Sequence, residues 1–316
     1  MKKLQYNIYV LFLMVLVGCN PVPEIDNETM LDGDQIFDAS IANPEKYLVS
    51  AYLPNPTDVE KSKPVIIAAH GYTATTFEWD ELREYADSAN TFLVSQVLLG
   101  GHGTTYTDFK ASSWHDWQSS IVEEYIKLSN MGFRNIYMAG SSTGAPLIIQ
   151  LFKSGFFNDY TKPKGVFLVD PIIVSSNKTL TLVCLLGPVL GYTTVTLDSG
   201  EQGKWYVYRP QETLKQLMEL IDLTRIDLQK GITLPIGTYM KVYKSAVDET
   251  ADPVSAVLIY KGVKTATGKN IDVEMIDSRI HVFTRLKGRS GVLGSDVEKQ
   301  AKTFKDIESK VKTVAN

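Results

Sequence analysis

The sequence is poor in several residue types and patterns, and each shortage excludes a class of protein. Its two cysteines, Cys19 and Cys184, are too few for a disulfide framework or a thiolate metal site. The formal net charge is -4, so no basic field indicates nucleic acid as a partner. No G-x-G-x-x-G or Walker pattern is present, and the four histidines lack the spacing of metal ligands. We therefore expect no metal, no cofactor and no nucleic-acid partner.

The amino-terminal segment has the pattern of a signal peptide. Lys2 and Lys3 precede an apolar stretch over residues 4–17, which is shorter than the run of about 20 residues that crosses a bilayer. Leu16-Val17-Gly18-Cys19 resembles the lipobox of bacterial lipoproteins. The resemblance implies removal of residues 1–18, lipidation of Cys19, a tether over 19–40 and an extracytoplasmic protein anchored to a bacterial membrane. An ordinary secretory signal is the alternative.

From about residue 41 onward, strand-like and helix-like segments alternate, which predicts an α/β fold with a mostly parallel central sheet and helices on both faces. The predicted strands cover residues 47–53, 64–69, 91–96, 135–139, 164–169, 238–243 and 272–276. The predicted helices cover residues 77–89, 117–131, 146–152, 211–230 and 296–312. The pattern lapses over about 171–235, and we interpret this segment as a cap inserted into one domain, 41–316. Its apolar run, 179–190, is expected to supply an acyl pocket or a lid, or else a helix that only covers the sheet.

The strongest local motif is Gly140-Ser141-Ser142-Thr143-Gly144, a G-x-S-x-G pattern. It follows a predicted strand and leads into a predicted helix, which is the setting of a nucleophile elbow. The glycines allow a strained, tightly packed turn that exposes the hydroxyl of Ser142. Ser142 is therefore the candidate nucleophile.

A serine hydroxyl needs a positioned base, and the order of residues along the chain favours His281. Of the four histidines, His281 alone follows Ser142, and it comes just after a predicted strand. The acid that orients the imidazole is expected after the preceding strand, where Asp248 lies. Asp252 and Asp170 remain alternatives.

Several further motifs extend the pattern over most of residues 50–284. These motifs are His70-Gly71-Tyr72-Thr73, Gly101-His102-Gly103, Trp114-His115-Asp116-Trp117, the Ser142 elbow, residues 248–256 and His281. With them the chain resembles the α/β-hydrolase superfamily, and in particular its bacterial carboxylesterases and monoacylglycerol lipases. The resemblance implies the α/β-hydrolase fold and an oxyanion hole formed by the amides of Tyr72 and Thr143.

Two departures from the family pattern lie close to these motifs. Ala145 replaces a second glycine after the elbow, and Ile280 replaces the glycine that usually precedes the histidine. His70 is expected to fix the oxyanion loop, and the tryptophans Trp79, Trp114 and Trp117 are expected to pack in the core.

These observations predict a serine hydrolase that cleaves carboxylic esters of small, acyl-bearing molecules without a cofactor. A peptidase or amidase with the same three residues is an alternative, because the difference would lie in the pocket. A lipoprotein that keeps the fold as a non-catalytic binding module is the second alternative. The presence of Ser142, Asp248 and His281 together argues against it.

Overall fold

The structure is a computed structural model that describes residues 22–24, 44–176 and 191–315. The predicted signal peptide and Cys19 lie outside the described residues, as do Cys184 and the apolar run 179–190 of the predicted cap. In the described ranges, no helix is both long enough and apolar enough to cross a bilayer.

A six-stranded sheet forms the centre of the described domain, and all of its neighbouring strands are parallel. Its strands are β1 (Val65–Ala69), β2 (Leu93–Val97), β3 (Ile136–Ser141), β4 (Gly165–Val169), β8 (Tyr239–Ser245) and β10 (Asp272–Ile276). Their order across the sheet is β10-β8-β4-β3-β1-β2. Strands β1 and β4 are continuous apolar runs because both of their faces are covered.

Helices cover both faces of this sheet. The helices are α1 (Val49–Tyr52), α2 (Asp58–Ser62), α3 (Asp80–Ala89), α4 (Tyr106–Ala111), α5 (Trp114–Met131), α6 (Gly144–Lys153), α7 (Gln211–Lys230), α8 (Val254–Gly262) and α9 (Gly294–Ala315). Side chains of β1 alternate between two hydrophobic clusters. Ile67 packs with α5, α6 and α8 on one face, whereas Ile66 packs with α3 and α9 on the other.

The segment between β4 and β8 contains a second, smaller layer of structure. It includes the antiparallel pair β5 (Tyr192–Thr194) and β6 (Tyr208–Pro210), followed by α7. A further short pair joins β7 (Ile232–Thr233) to β9 (Val263–Lys264). Helix α7 packs against α6 and α8 through buried residues that include Leu217, Leu220 and Ile221. This layer lies next to the helices of the main domain and contributes one wall of the cavity described below.

One predicted strand, over residues 47–53, is wrong. Its β-branched and aromatic residues favour a strand, but the chain forms the one-turn helix α1 there. The amide of Val49 donates to Ser95 Oγ, and the amide and hydroxyl of Ser50 both donate to Glu124. These side chains come from β2 and α5, so tertiary hydrogen bonds override the local strand preference.

Candidate active site

Ser142 lies at a sharp turn between β3 and α6. Its φ angle is +47°, in the left-handed region that a non-glycine residue rarely adopts. The turn is tight because a Cβ at Gly140 would come within 2.7 Å of the Gly144 backbone, and one at Gly144 within 2.4 Å of Ala69 O. The two motif glycines are therefore required by close packing, and the strained turn presents Ser142 at the carboxyl edge of the sheet.

His281 and Asp248 are in direct contact. His281 Nδ1 lies 2.7 Å from Asp248 Oδ2, which follows β8, and His281 follows β10. Since Asp248 is buried and the imidazole is partly exposed, the carboxylate can fix the ring and its tautomer while Nε2 faces away. Of the three acids considered from the sequence, Asp248 is the one that contacts the imidazole. Asp252 instead accepts a hydrogen bond from the amide of Val254 at the start of α8.

A buried lysine joins the same carboxylate. The Lys244 ammonium is fully buried on β8 and donates to Asp248 Oδ2, the oxygen that also faces His281. It also donates to Asp170 Oδ1 at 3.1 Å, so one cation bridges two buried carboxylates. Burial alone would raise the pKa of Asp248, but His281 and Lys244 together hold that pKa well below its ordinary value. Asp248 therefore stays ionised beneath the imidazole.

Asp170 organises the turn that carries His281 without contacting the imidazole itself. Its carboxylate accepts hydrogen bonds from the amides of Ser245 at 2.6 Å and Val282 at 2.8 Å. A third amide, that of Phe283, donates to it at 3.3 Å. Val282 has a φ angle of +55°, which is strained for a β-branched residue. The Asp170 carboxylate thus stabilises a strained turn next to His281.

Carboxylate and imidazole atoms of Asp170, Asp248 and His281 lie within 4.8 Å of one another, which is close enough to hold a metal ion. The Lys244 ammonium already hydrogen-bonds to both carboxylates. A cation therefore occupies this position in the form of a side chain, and the cluster is better described as a hydrogen-bonded ion network than as a metal site.

His70 holds the loop that follows β1. Its Nε2 accepts from the amide of Leu99 at 3.1 Å, so the proton lies on Nδ1, which donates to Gly71 O at 2.8 Å. Burial lowers the pKa of His70 to about 4, which keeps the ring neutral. The expected role of His70 in fixing this loop agrees with these contacts.

A buried carboxylate supports the same loop from below. Glu78 Oε1 accepts from the amide of Gly71 at 2.7 Å and from the hydroxyl of Ser141, the residue before the candidate nucleophile. The amides of Tyr72 and Thr143 donate to no other group among the described residues. Two backbone N–H groups are therefore available near Ser142, as an oxyanion hole requires.

A cavity of about 390 Å³ lies beside the candidate nucleophile. Ser142, Thr143, Tyr72 and His281 line it, and its walls include the apolar side chains of Ile172, Val195, Leu197, Trp205, Leu214 and Leu217. Within the described residues, no hydrogen bond joins Ser142 to His281. Such contacts are often long in an empty site and shorten when a substrate binds. Four of the five residues predicted from the sequence for the site thus line one cavity, and the fifth, Asp248, is buried in contact with His281.

The tryptophans and the two remaining histidines noted in the sequence pack against neighbouring side chains. Trp79, Trp114 and Trp117 are buried in the two hydrophobic clusters, as expected. His102 is buried against Phe109 and Trp117, and His115 is exposed and stacks on Trp114.

Three charged residues of the site were not predicted from the sequence: Lys244, Glu78 and Arg209. The contact between Lys244 and the candidate acid could have been predicted from the sequence. Lys244 lies in a buried strand four residues before Asp248, and a buried lysine needs a charged partner. Glu78 and Arg209 carry no such signal, since the contacts of Glu78 and the place of Arg209 in the cavity wall depend on the tertiary fold.

In sequence, the chain matches a known protein over a short segment only, whereas in structure it matches known proteins over most of its length. No protein-family model matches the sequence. A thermostable monoacylglycerol lipase from Bacillus sp. (strain H-257) is 33% identical over 87 residues, which is 27% of this chain and 34% of the relative. The chain thus matches only about a third of the length of this curated relative.

Solved structures match much more of the chain at low sequence identity. A structure of the metagenome-derived lipolytic enzymes LipS and LipT superposes with a TM-score of 0.64 at 18% identity, over 79% of this chain and 94% of the other. A soluble variant of monoglyceride lipase from Saccharomyces cerevisiae superposes with a TM-score of 0.60 at 12% identity, over 83% of this chain and 89% of the other. The monoacylglycerol lipase of Paleococcus ferrophilus superposes with a TM-score of 0.57 at 14% identity, over 78% of this chain and 96% of the other. The chain therefore has the α/β-hydrolase fold, as predicted.

Proposed function

We propose that this protein is a serine hydrolase that cleaves carboxylic esters of small, acyl-bearing molecules. The observation that carries the proposal is the 2.7 Å contact between His281 Nδ1 and Asp248 Oδ2, at a cavity that Ser142 also lines. A nucleophile, a base and an orienting acid are the groups that acyl transfer needs.

In the proposed acylation step, Ser142 Oγ attacks the ester carbonyl carbon and His281 Nε2 takes the hydroxyl proton. The carbonyl π electrons move onto oxygen, and the amides of Tyr72 and Thr143 donate to that oxyanion. One such donor is worth about 3 kcal/mol in the transition state. Collapse of the tetrahedral intermediate expels the alkoxide, which receives the proton from His281.

Deacylation repeats these steps with water as the nucleophile. His281 takes a proton from water, the hydroxide adds to the acyl carbon, and Ser142 leaves with the proton returned by His281. Asp248 stabilises the imidazolium in both halves and is not itself protonated. No cofactor enters the reaction.

The relatives support esters as the substrate class. One matching curated protein is named a monoacylglycerol lipase, and the matching structures include lipolytic enzymes and monoglyceride lipases. The apolar wall formed by residues such as Leu197, Leu214 and Leu217 suits an acyl chain.

The substrate class is tested by comparing turnover of p-nitrophenyl esters of several chain lengths with turnover of the matched anilides. We expect ester hydrolysis that disappears in Ser142→Ala. Faster anilide turnover would favour a peptidase or amidase, and ester turnover that survives Ser142→Ala would contradict the assigned nucleophile.

We also propose that the enzyme works outside the cytoplasm, anchored to a bacterial membrane by lipid on Cys19. The proposal rests on the lipobox-like Leu16-Val17-Gly18-Cys19 sequence. Two or more acyl chains give stable anchoring, whereas one chain binds only marginally. In a bacterial host, the wild type and Cys184→Ala are expected in the membrane fraction and Cys19→Ala in the soluble fraction. Equal partitioning of Cys19→Ala and the wild type would contradict the anchor.

A further inference from the structure

The cavity that Ser142 lines also holds a guanidinium group with no carboxylate partner. Arg209 lies in β6 and lines the cavity. Its Nε is buried and has no hydrogen-bond partner, and no described carboxylate lies within 4 Å of the guanidinium. We propose that Arg209 binds an anionic group of the substrate, so that the preferred ester carries a carboxylate or a phosphate. This inference rests on the proposed ester hydrolysis.

The neighbouring charges are already engaged with one another. Glu201 contacts Arg285, and Arg289 Nε lies 3.8 Å from the same carboxylate. Arg289 also donates to the carbonyl oxygen of His281. Among the described arginines that line the cavity, Arg209 is therefore the one left without a carboxylate.

The acids of the cavity also have their own donors. Glu78 accepts from Gly71 and Ser141, and Asp198 accepts from the hydroxyl of Ser290 at 2.7 Å. The sequence of residues 177–190, between the two described parts of the cavity wall, contains no aspartate or glutamate. The charge of Glu201 raises the pKa of Arg209 from a distance, but that carboxylate is paired with Arg285 and Arg289, and no described carboxylate forms an ion pair with Arg209.

The surroundings of Arg209 favour a ligand anion over bulk water. Its guanidinium carbon lies 5.9 Å from the centroid of the Tyr72 ring, and the hydroxyl of Tyr72 is 2.7 Å from that of Thr213. Burial lowers the pKa of Arg209, yet a guanidinium remains charged in proteins. Arg209 is half-buried and its charge has no ion-pair partner among the described carboxylates, so a carboxylate or phosphate would satisfy it through paired N–H donors.

Arg209 is also well placed to act on specificity. Tyr72, the residue beneath the guanidinium, is the one whose amide is proposed to bind the oxyanion. An anion bound at Arg209 would therefore anchor one end of the ester in the cavity where its carbonyl meets Ser142. The anion could belong to either the acyl or the alcohol part of the ester, and the test separates these two sources.

Two matched pairs of esters provide the test. The first pair is mono-p-nitrophenyl glutarate and its neutral methyl ester, which place a carboxylate in the acyl part. The second is butyrylglycerol phosphate and neutral butyrylglycerol, which place a phosphate in the alcohol part. We expect kcat/KM for the charged ester to exceed that of its neutral partner by about tenfold or more in at least one pair, mainly through KM.

Variants then assign the preference to Arg209. In Arg209→Met, the ratio of charged to neutral kcat/KM is expected to fall to within about threefold of one, and Arg209→Lys is expected to restore part of it because the charge remains. Arg225→Met is the matched control, since Arg225 lies on the exposed side of α7 and pairs with Asp222 at 2.9 Å. Circular dichroism and thermal melting establish that each variant is folded.

The outcomes separate this inference from the proposed function. Ser142-dependent turnover of the neutral esters with no charge preference in either pair would overturn the role of Arg209 and leave the hydrolase intact. A preference that persists in Arg209→Met would also overturn it. Failure of the wild type to turn over any of the four esters would contradict the proposed function, and this inference with it.

Discussion

Lys244 Nζ and His281 Nδ1 both contact Oδ2 of Asp248, so a buried lysine and the imidazole share one carboxylate oxygen. The other oxygen, Oδ1, accepts from the amides of Thr250 at 2.8 Å and Ala251 at 3.0 Å. The carboxylate is thus fixed by donors on both oxygens, and its orientation toward His281 is set before a substrate arrives.

Replacing Lys244 by methionine should destabilise the protein at neutral pH and make its stability depend less on acid. The ionised form of Asp248, whose pKa is lowered in the folded state, contributes stability above its ordinary pKa of about 3.9, and this contribution is lost as the pH falls below that value. Without the ammonium that pKa rises toward its ordinary value, so the contribution at neutral pH shrinks and less of it remains to be lost in acid. We expect the free energy of unfolding at neutral pH to fall by about 3–5 kcal/mol, because two buried carboxylates lose their shared cation.

Urea denaturation between pH 4 and 8 measures this effect. Lys241→Met is the matched control, since Lys241 lies on the same strand but pairs with Glu274 and Asp306 near the surface. A Lys244→Met variant no less stable than Lys241→Met would contradict the account of the ion network.

Asparagine at Asp248 and at Asp170 should have very different effects on activity. Asp248→Asn removes the charge that orients His281 and stabilises the imidazolium, and is expected to lower kcat by about 10³- to 10⁴-fold. Asp170→Asn can still accept an amide hydrogen bond from the turn, and is expected to lower kcat/KM by about tenfold or less. Equal losses, or a larger loss at Asp170, would identify Asp170 as the catalytic acid.

The carboxylate of Glu78 is expected to matter for its hydrogen bonds more than for its charge. Glu78→Ala leaves the Gly71 amide without its acceptor and the Ser141 hydroxyl with only its 3.3 Å contact to Ala69 O, so the oxyanion loop should shift and kcat should fall by about 10- to 100-fold with little change in KM. Glu78→Gln keeps one acceptor oxygen and is expected to retain most of the activity. Steady-state kinetics with a p-nitrophenyl ester distinguish the two, and identical rates for both variants would exclude a positioning role.

Activity should decline as the pH falls from about 8 to 5, because a protonated histidine cannot act as a base. Stability should decline over part of the same range for a different reason. The pKa of buried His70 is lowered to about 4, so the unfolded chain binds a proton more readily and acid destabilises the fold between about pH 6.5 and 4. Initial rates are therefore paired with circular dichroism at each pH. A flat rate from pH 5 to 8 in folded protein would contradict the role of His281.

Much of the fold was predictable because local pattern and tertiary environment agree. The predicted bounds of α7 and β10 match the observed ones, Gln211–Lys230 and Asp272–Ile276. The helix places Leu214, Leu217 and Ile221 on one buried face, which is the periodicity that predicts it. Residues 47–53 were mispredicted because their strand-favouring side chains are outweighed by hydrogen bonds to Ser95 and Glu124, which the sequence does not place nearby.

The site was predictable where chain order carries information and unpredictable where it does not. Ser142, Asp248 and His281 each follow a strand of a parallel sheet, whose carboxyl ends meet at one edge. The bridge from Lys244 to Asp170 spans 74 positions, and the contact of Glu78 with Ser141 spans 63. Such pairs of charged and polar residues meet only through the register of the folded strands, so the sequence pattern alone does not reveal them.

The most direct test of the central claim is to treat the wild type and Ser142→Ala with a fluorophosphonate and to locate the adduct by peptide mass spectrometry. We predict a single covalent adduct in the wild type on the peptide that contains Ser142, and no adduct in the variant. Labelling that survives Ser142→Ala, or a folded wild type that is not labelled, would contradict the assignment of Ser142 as the nucleophile.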